Sequence, residues 1–151
     1  MAITKKARNG YFRERNKKID AMVDSTVAND RQVGGDHYKA ENPDFQHWDL
    51  MAVNNVGYFP GQVTKYVDRW RKKGGKQDLE KASHYLQKLL ELTCAEILPI
   101  PDPRQAFRLD EYRETHEMDV YEYRVFKCML TYTSIDDLLS LQDTIETLKN
   151  T

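Results

Sequence analysis

The sequence has no long hydrophobic run, and its 151 residues include only two cysteines, seven glycines and five prolines. No apolar stretch approaches the roughly 20 residues that a transmembrane helix needs, so we predict no membrane segment. Cys94 and Cys128 lie far apart, without the CxxC spacing of redox or metal motifs. We expect both to be reduced, buried thiols. These absences argue against a membrane protein or a disulfide-rich secreted domain and predict a cytoplasmic location.

The sequence also lacks the motifs by which several enzyme classes are recognised. It contains no GxxxxGK[ST] phosphate-binding loop, and the Gly74-Gly75 pair is too short to replace one. His47 and His84 have no metal-ligand spacing to each other or to the cysteines, so we predict no metal site. No Ser-His-Asp or Cys-His nucleophile can be argued from the order of residues. We therefore predict no catalytic residue and no cofactor.

Charge is unevenly distributed along a chain whose formal net charge is only -1. Residues 1–30 are basic, residues 62–84 are basic again, and the region after Asp110 is mostly acidic. Such segregation indicates either a localised anion site or subunits that meet through opposite patches. Because the apolar content of 40% supports only a thin core, we also expect an apolar stripe to be buried in a homo-oligomer.

The spacing of apolar residues predicts an all-α fold. Within 62–73 they follow the i, i+3, i+4, i+7 pattern of an amphipathic helix, which the Gly-Gly pair at 74–75 ends. A long helix is predicted over 78–98, so the two helices form a hairpin around the glycines. We expect further helices over about 47–56, 118–131 and 135–149, a turn over 57–61, and a solvated acidic segment over 111–119.

This pattern predicts four parts in chain order. They are a basic N-terminal arm over 1–30, a helical nucleotide-binding core over 31–98, a Pro-rich linker over 99–103, and a C-terminal extension with a helical pair over 104–151.

The cations of the helical hairpin are predicted to meet beside its turn. Lys65 and Arg69 lie on one stripe of the first helix, and Lys81 and Tyr85 lie four residues apart on one face of the second. Arginine and lysine suit phosphate oxygens, and a tyrosine ring suits stacking on a base. The hairpin therefore predicts a site for a phosphorylated base.

The same residues also admit a structural interpretation. In that interpretation the basic helix face is solvated and pairs locally with Asp68, Asp78 and Glu80. Tyr66 and Trp70, at helical spacing, are then core residues and do not contact a ligand.

An ordered set of motifs runs through this region: GGDHY at 34–38, KYVDR at 65–69 and DLEKASHYLQKL at 78–89. The set resembles a small family of bacteriophage proteins, catalogued as a domain of unknown function, that includes the early nucleotide kinase of the coliphage podoviruses. The resemblance spans about residues 33–92 and implies a location in the cytoplasm of an infected bacterial host. It implies ligand-binding roles for His37, Tyr38, Lys65, Tyr66, Arg69, Lys73, Lys81 and Tyr85.

Three functions are compatible with these residues. The visible chemistry favours binding without turnover, by a phage protein that sequesters a nucleotide immune signal such as a cyclic dinucleotide across a two-fold interface. The resemblance favours a deoxynucleoside monophosphate kinase, which would need Mg²⁺. The third function is a DNA- or RNA-binding module that uses the basic arm, although the acidic C-terminal half argues against it.

Overall fold

The computed structural model describes residues 45–151 together with Lys17, and within them the fold is entirely helical, as predicted. None of the helices in this part of the chain is long and apolar enough to cross a membrane. In chain order the elements are α1 (His47–Val53), α2 (Tyr58–Arg69), a π-helical turn (Trp70–Gly74), α3 (Lys76–Cys94), α4 (Leu109–Thr115), α5 (Val120–Thr131) and α6 (Ile135–Lys149).

The predicted hairpin of α2 and α3 is the centre of the fold. The two helices pack along each other, α6 lies against α3 and α5, and α5 also contacts α2. The apolar stripes of the four helices meet in one core, because burying these faces is the main favourable term in folding. Among the fully buried side chains are Val63, Val67, Leu79, Leu86, Phe126, Met129, Leu141 and Ile145.

The turn of the hairpin depends on its two glycines. Gly75 has φ 58° and ψ -147°, a region of backbone space that is essentially restricted to glycine, and its N–H donates to the Trp70 carbonyl oxygen at 2.7 Å. Gly74 lies directly against the carboxyl group of Asp78, which leaves no room for a side chain. The predicted end of the helix at the Gly-Gly pair is confirmed.

Replacing Gly75 by alanine is expected to lower the free energy of unfolding by about 1–3 kcal/mol, because any Cβ is strained at this φ. Gly61 is the matched control: it lies within α2, and a Cβ there would be 3.8 Å from the Met51 sulfur, an ordinary contact. Gly61→Ala is expected to raise stability by about 0.5–1 kcal/mol. Urea unfolding measures both variants, and equal effects would contradict this account of the turn.

Several boundaries differ from those predicted. The turn over 57–61 was wrong, since α2 begins at Tyr58 and Pro60 occupies its first turn, where a missing N–H costs little. The long helix ends at Cys94 and not near 98, which leaves Ile97 68% exposed. The segment over 111–119 is not simply solvated, because α4 buries Tyr112 completely.

The C-terminal helical pair is confirmed as α5 and α6. The start of α6 is capped, because the Ser134 hydroxyl accepts the Asp137 N–H at 3.1 Å. Val120, the first residue of α5, is 52% exposed although it is apolar. Both cysteines are free, but Cys94 is exposed and only Cys128 is partly buried, so the prediction that both are buried was wrong for Cys94. The domain divisions and the homo-oligomer stay predictions.

Candidate cation and tyrosine site

Three cationic side chains of the hairpin gather around one tyrosine ring. The Lys65 Nζ lies 5.4 Å from the Tyr66 ring centroid, the Arg69 Cζ 5.1 Å and the Lys81 Nζ 5.3 Å. Lys65 and Tyr66 are neighbours on α2, Arg69 lies one turn further along the same helix, and Lys81 comes from α3. The ring's negative faces attract all three charges, which holds them close together. We call these four residues the cation cluster.

A row of tyrosines continues from the cation cluster. Tyr85 on α3 stacks on Tyr66 with 5.7 Å between ring centroids and 16° between planes. Tyr58 meets Tyr85 edge to face at 6.1 Å. The neighbouring Tyr85 side chain raises the pKa of the Tyr58 phenol above its ordinary value. Aromatic surface and positive charge therefore lie side by side on the α2–α3 hairpin.

One carboxylate is built into the site. The Asp78 side chain is 1% exposed and receives the Arg69 guanidinium at 2.7 Å and 3.2 Å, while the Lys81 Nζ is 3.8 Å away. Arg69 thus connects the end of α2 to the first turn of α3, around Gly74. Paired N–H···O bonds of this kind fix geometry as well as charge. Asp78 holds the cation cluster in place and neutralises part of its charge.

The remaining cations near the turn are arranged differently. Lys72, Lys73 and Lys76 are exposed and form no ion pair within the part of the chain that the structure describes. Arg71 points elsewhere, because it lies over the Trp70 ring and pairs with Asp119 at 2.7 Å. The turn is therefore a solvated basic surface beside the cation cluster.

The structure brings together five of the eight residues that the sequence nominated: Lys65, Tyr66, Arg69, Lys81 and Tyr85. Lys73 lies on the exposed turn, and no contact joins it to the cation cluster. His37 and Tyr38 lie outside the described residues.

Sequence reasoning missed two members of the site. Tyr58 was assigned to a turn, so its place on the same helix as Tyr66 was not seen. Asp78 was considered only as a helix start and a local partner, and its 1% exposure could not be read from the sequence. The structural interpretation also holds in part, because Asp78 does pair locally and Trp70 is buried, whereas Tyr66 is only half-buried.

A second polar cluster lies in the interior, behind α2. The Tyr112 hydroxyl donates to the Asp68 Oδ2 at 2.8 Å, and the His116 Nδ1 is 3.6 Å from the Asp68 Oδ1. Nearby, the His47 Nε2 and the Thr64 hydroxyl are 2.8 Å apart. We call these five residues the buried polar cluster; it joins α1, α2 and α4.

Burial shifts the pKa values of the titratable groups in this cluster. It lowers the pKa of His47 and of His116 from 6.5 to about 4, because the charged imidazolium loses its hydration. Burial also raises the pKa of the Asp68 carboxyl, which the nearby His47 and the Tyr112 hydrogen bond only partly offset. The cluster is therefore stable with neutral histidines.

The carboxylates nearest the cation cluster are already engaged. Asp78 binds Arg69, and Asp68 faces the interior, where Tyr112 and His116 surround it. Over the described residues no group of three or more histidine, cysteine or acidic side chains is placed to hold a metal ion.

Comparison with known proteins gives one match. The model of a family described as a protein of unknown function, DUF3310, matches residues 34–87. No curated protein and no solved structure matches the chain. The matched span includes α1, α2, the turn and most of α3, and so includes the cation cluster and the tyrosine row. It ends before α4, α5 and α6, and the description of the family carries no activity.

Proposed function

We propose that this chain is a phage nucleotide-binding protein that binds the phosphate of its ligand at the cation cluster and sequesters the ligand without turnover. A nucleotide signal of bacterial immunity, such as a cyclic dinucleotide, is the ligand class we propose. The observation that carries the proposal is the convergence of Lys65, Arg69 and Lys81 on Tyr66, next to stacked Tyr85.

The charges of the site favour an anionic ligand. Three cations face one carboxylate, Asp78, so the cation cluster keeps an excess of two positive charges. Like charges held this close repel each other, and a phosphate placed between them relieves the repulsion. Lys65 forms no ion pair with any described residue, which leaves its ammonium group available to a ligand. Arginine and lysine donors to phosphate are each worth about 1.5–3 kcal/mol net.

We propose binding without turnover because Asp78 and Asp68, the described carboxylates near the cation cluster, already have partners. Phosphoryl transfer needs acidic groups to hold magnesium ions and to orient the acceptor. In the described part of the hairpin, Asp78 is taken up by Arg69 and Asp68 is turned to the interior. Among the described residues the site consists of cations and aromatic rings, which suit binding of a nucleotide and include no group placed to activate it.

Lys65→Ala is expected to weaken nucleotide binding about 10-fold or more, because one charge-assisted hydrogen bond to phosphate is lost. The measurement is a thermal-shift screen over mono-, di-, tri- and cyclic nucleotides, in which a ligand at 100 times its Kd stabilises the fold by about 2.7 kcal/mol. Lys127→Ala is the matched control, since Lys127 is exposed on α5, a helix that contributes none of the cation cluster or the tyrosine row. Equal ligand-induced thermal shifts in the two variants would show that the cation cluster does not bind the nucleotide.

A second measurement separates sequestration from the other two functions. The bound nucleotide is released by heat and analysed: unaltered cyclic dinucleotide supports sequestration. Conversion of ATP and dTMP or dGMP in the presence of Mg²⁺ would instead establish a kinase. Tight DNA or RNA binding that weakens steeply with salt, with a slope of about 0.7–0.9 per phosphate contact, would establish a nucleic-acid module.

A further inference from the structure

We infer that Tyr58 is the base-stacking residue of the site, so that the ligand lies with its phosphate at the cation cluster and its planar base on Tyr58. This inference rests on the proposed nucleotide binding and deepens it, because it assigns the two ends of the ligand to two ends of the hairpin surface. It also requires a ligand that carries a base, which excludes sugar phosphates and inorganic phosphate as the preferred class.

The exposure of Tyr58 is the first observation. Its side chain is 62% exposed, whereas Tyr66 and Tyr85 in the same row are each partly buried. A large ring left in water at the start of α2 contributes little to the core, but it offers a surface on which a second planar group can stack. Every base has such a face, and stacking on an aromatic side chain is worth about 1–3 kcal/mol per base.

Two neighbouring aromatic rings contact the Tyr58 ring. Phe59 meets Tyr58 edge to face at 5.1 Å and 84°, and Tyr85 meets it at 6.1 Å and 75°. These two contacts limit the rotation of a ring that is otherwise exposed. A side chain with fewer accessible rotamers loses less conformational entropy when a ligand stacks on it, which favours binding.

The distances suit one nucleotide unit. Steps of 6.1 Å from Tyr58 to Tyr85 and 5.7 Å from Tyr85 to Tyr66 place the end rings at most about 12 Å apart. A phosphate and its base are separated by a single sugar, so one unit reaches from the cation cluster to Tyr58. The row also has a polarity, because the three cations surround Tyr66 at one end and Tyr58 is exposed at the other.

The test is isothermal titration calorimetry of the full chain with AMP, GMP, CMP, UMP, cyclic di-AMP and cyclic di-GMP, and with ribose 5-phosphate as the base-free probe. The wild-type protein is expected to bind at least one of the nucleotides 10-fold or more tightly than ribose 5-phosphate. Tyr58→Leu is expected to lose at least 10-fold in affinity for that nucleotide and to change the affinity for ribose 5-phosphate less than 2-fold. Tyr58→Trp and Tyr58→Phe, which keep a planar ring, are expected to stay within 3-fold of the wild type.

The outcomes separate this inference from the proposed function. If nucleotides bind the wild type and Tyr58→Leu equally well, Tyr58 does not contact the base. That result contradicts the role inferred for Tyr58 and leaves the proposed nucleotide binding intact. If no nucleotide binds the wild type more tightly than ribose 5-phosphate, the proposed function and the inference fall together. An unchanged melting temperature of Tyr58→Leu shows that a loss of affinity does not come from unfolding.

Discussion

Asp78→Asn is expected to lower the free energy of unfolding by about 3 kcal/mol, the largest effect of any single polar substitution in the hairpin. The variant removes the negative charge that pairs with Arg69 and lies near the Lys81 ammonium. The Arg69 guanidinium, whose side chain is only 15% exposed, then loses its charged partner at a site that water reaches poorly. The loss is at the lower end of the range for buried ion pairs because Lys81 is 43% exposed and remains solvated.

Urea unfolding at pH 7 measures this effect. Asp143→Asn is the matched control, because Asp143 lies on the exposed surface of α6 and its replacement is expected to change stability by less than about 0.5 kcal/mol. A double-mutant cycle with Arg69→Met isolates the pair, since the penalty of Asp78→Asn is expected to shrink once the guanidinium is absent. An Asp78→Asn variant as stable as the control would show that the ion pair does not hold the turn.

Although it lowers stability, Asp78→Asn is expected to strengthen the binding of an anionic ligand. Without the Asp78 charge, the excess of positive charge in the cation cluster rises by one, and Arg69 no longer divides its donors between a carboxylate and a ligand. Folded Asp78→Asn protein is therefore expected to bind phosphate esters more tightly than the wild type. Stability given up in exchange for stronger binding is a usual trade-off at functional sites.

Acidification is expected to destabilise the fold through the buried polar cluster. His47 and His116 have folded-state pKa values of about 4, below the 6.5 of an exposed histidine. Between these values the unfolded chain takes up protons that the folded chain does not, so stability is full above pH 6.5 and falls as the pH approaches 4. Each histidine is expected to contribute about 2 kcal/mol of this loss between pH 7 and pH 5.

Asp68 contributes to the pH dependence of stability with the opposite sign to the two histidines. Its raised pKa means that the folded state holds a proton more strongly than the unfolded state, and this contribution is present at low pH and lost as the pH rises. The net loss between pH 7 and pH 5 is therefore expected to be smaller than the sum for His47 and His116. Free energies of unfolding from urea titrations at the two pH values measure the net effect.

His116→Phe tests the assignment. A phenyl ring keeps the stacking on Tyr112, which has 3.7 Å between ring centroids, but it cannot bind a proton. The loss of stability between pH 7 and pH 5 is expected to be about 2 kcal/mol smaller in this variant than in the wild type. His84→Gln, on the exposed surface of α3, controls for the loss of a histidine as such. An unchanged pH dependence in His116→Phe would place the acid-sensitive group elsewhere.

The hairpin could be predicted because its signals are local. The apolar spacing of Val63, Val67 and Trp70 fixes which face of α2 is buried, and this places Lys65 and Arg69 on the neighbouring stripe. Gly75 then determines where the chain reverses, so Lys81 is brought to the same surface. The positions of Lys65, Arg69 and Lys81 on one surface therefore follow from helix geometry and one turn.

The buried polar cluster could not be predicted, because it depends on contacts between elements that are distant in the chain. Tyr112 and His116 meet Asp68 across 44 or more positions of the chain, and no periodicity encodes that pairing. The helix α4 was missed because its short span has few apolar residues and its N-cap, Arg108, is in the left-handed region and makes no side-chain cap. Tyr58 was missed because the helix was expected to begin at Gln62, whereas it begins four residues earlier, with Pro60 in its first turn.

All the side chains of the cation cluster and the tyrosine row come from two helices that are consecutive in the chain and joined by a tight turn. The later helices α5 and α6 supply apolar backing and contribute none of the cation cluster or the tyrosine row. Substitutions on the outer faces of α5 and α6 are therefore expected to leave the cation cluster and the tyrosine row unchanged. The described part of the proposed nucleotide site is confined to one continuous segment of the chain, residues 58–85.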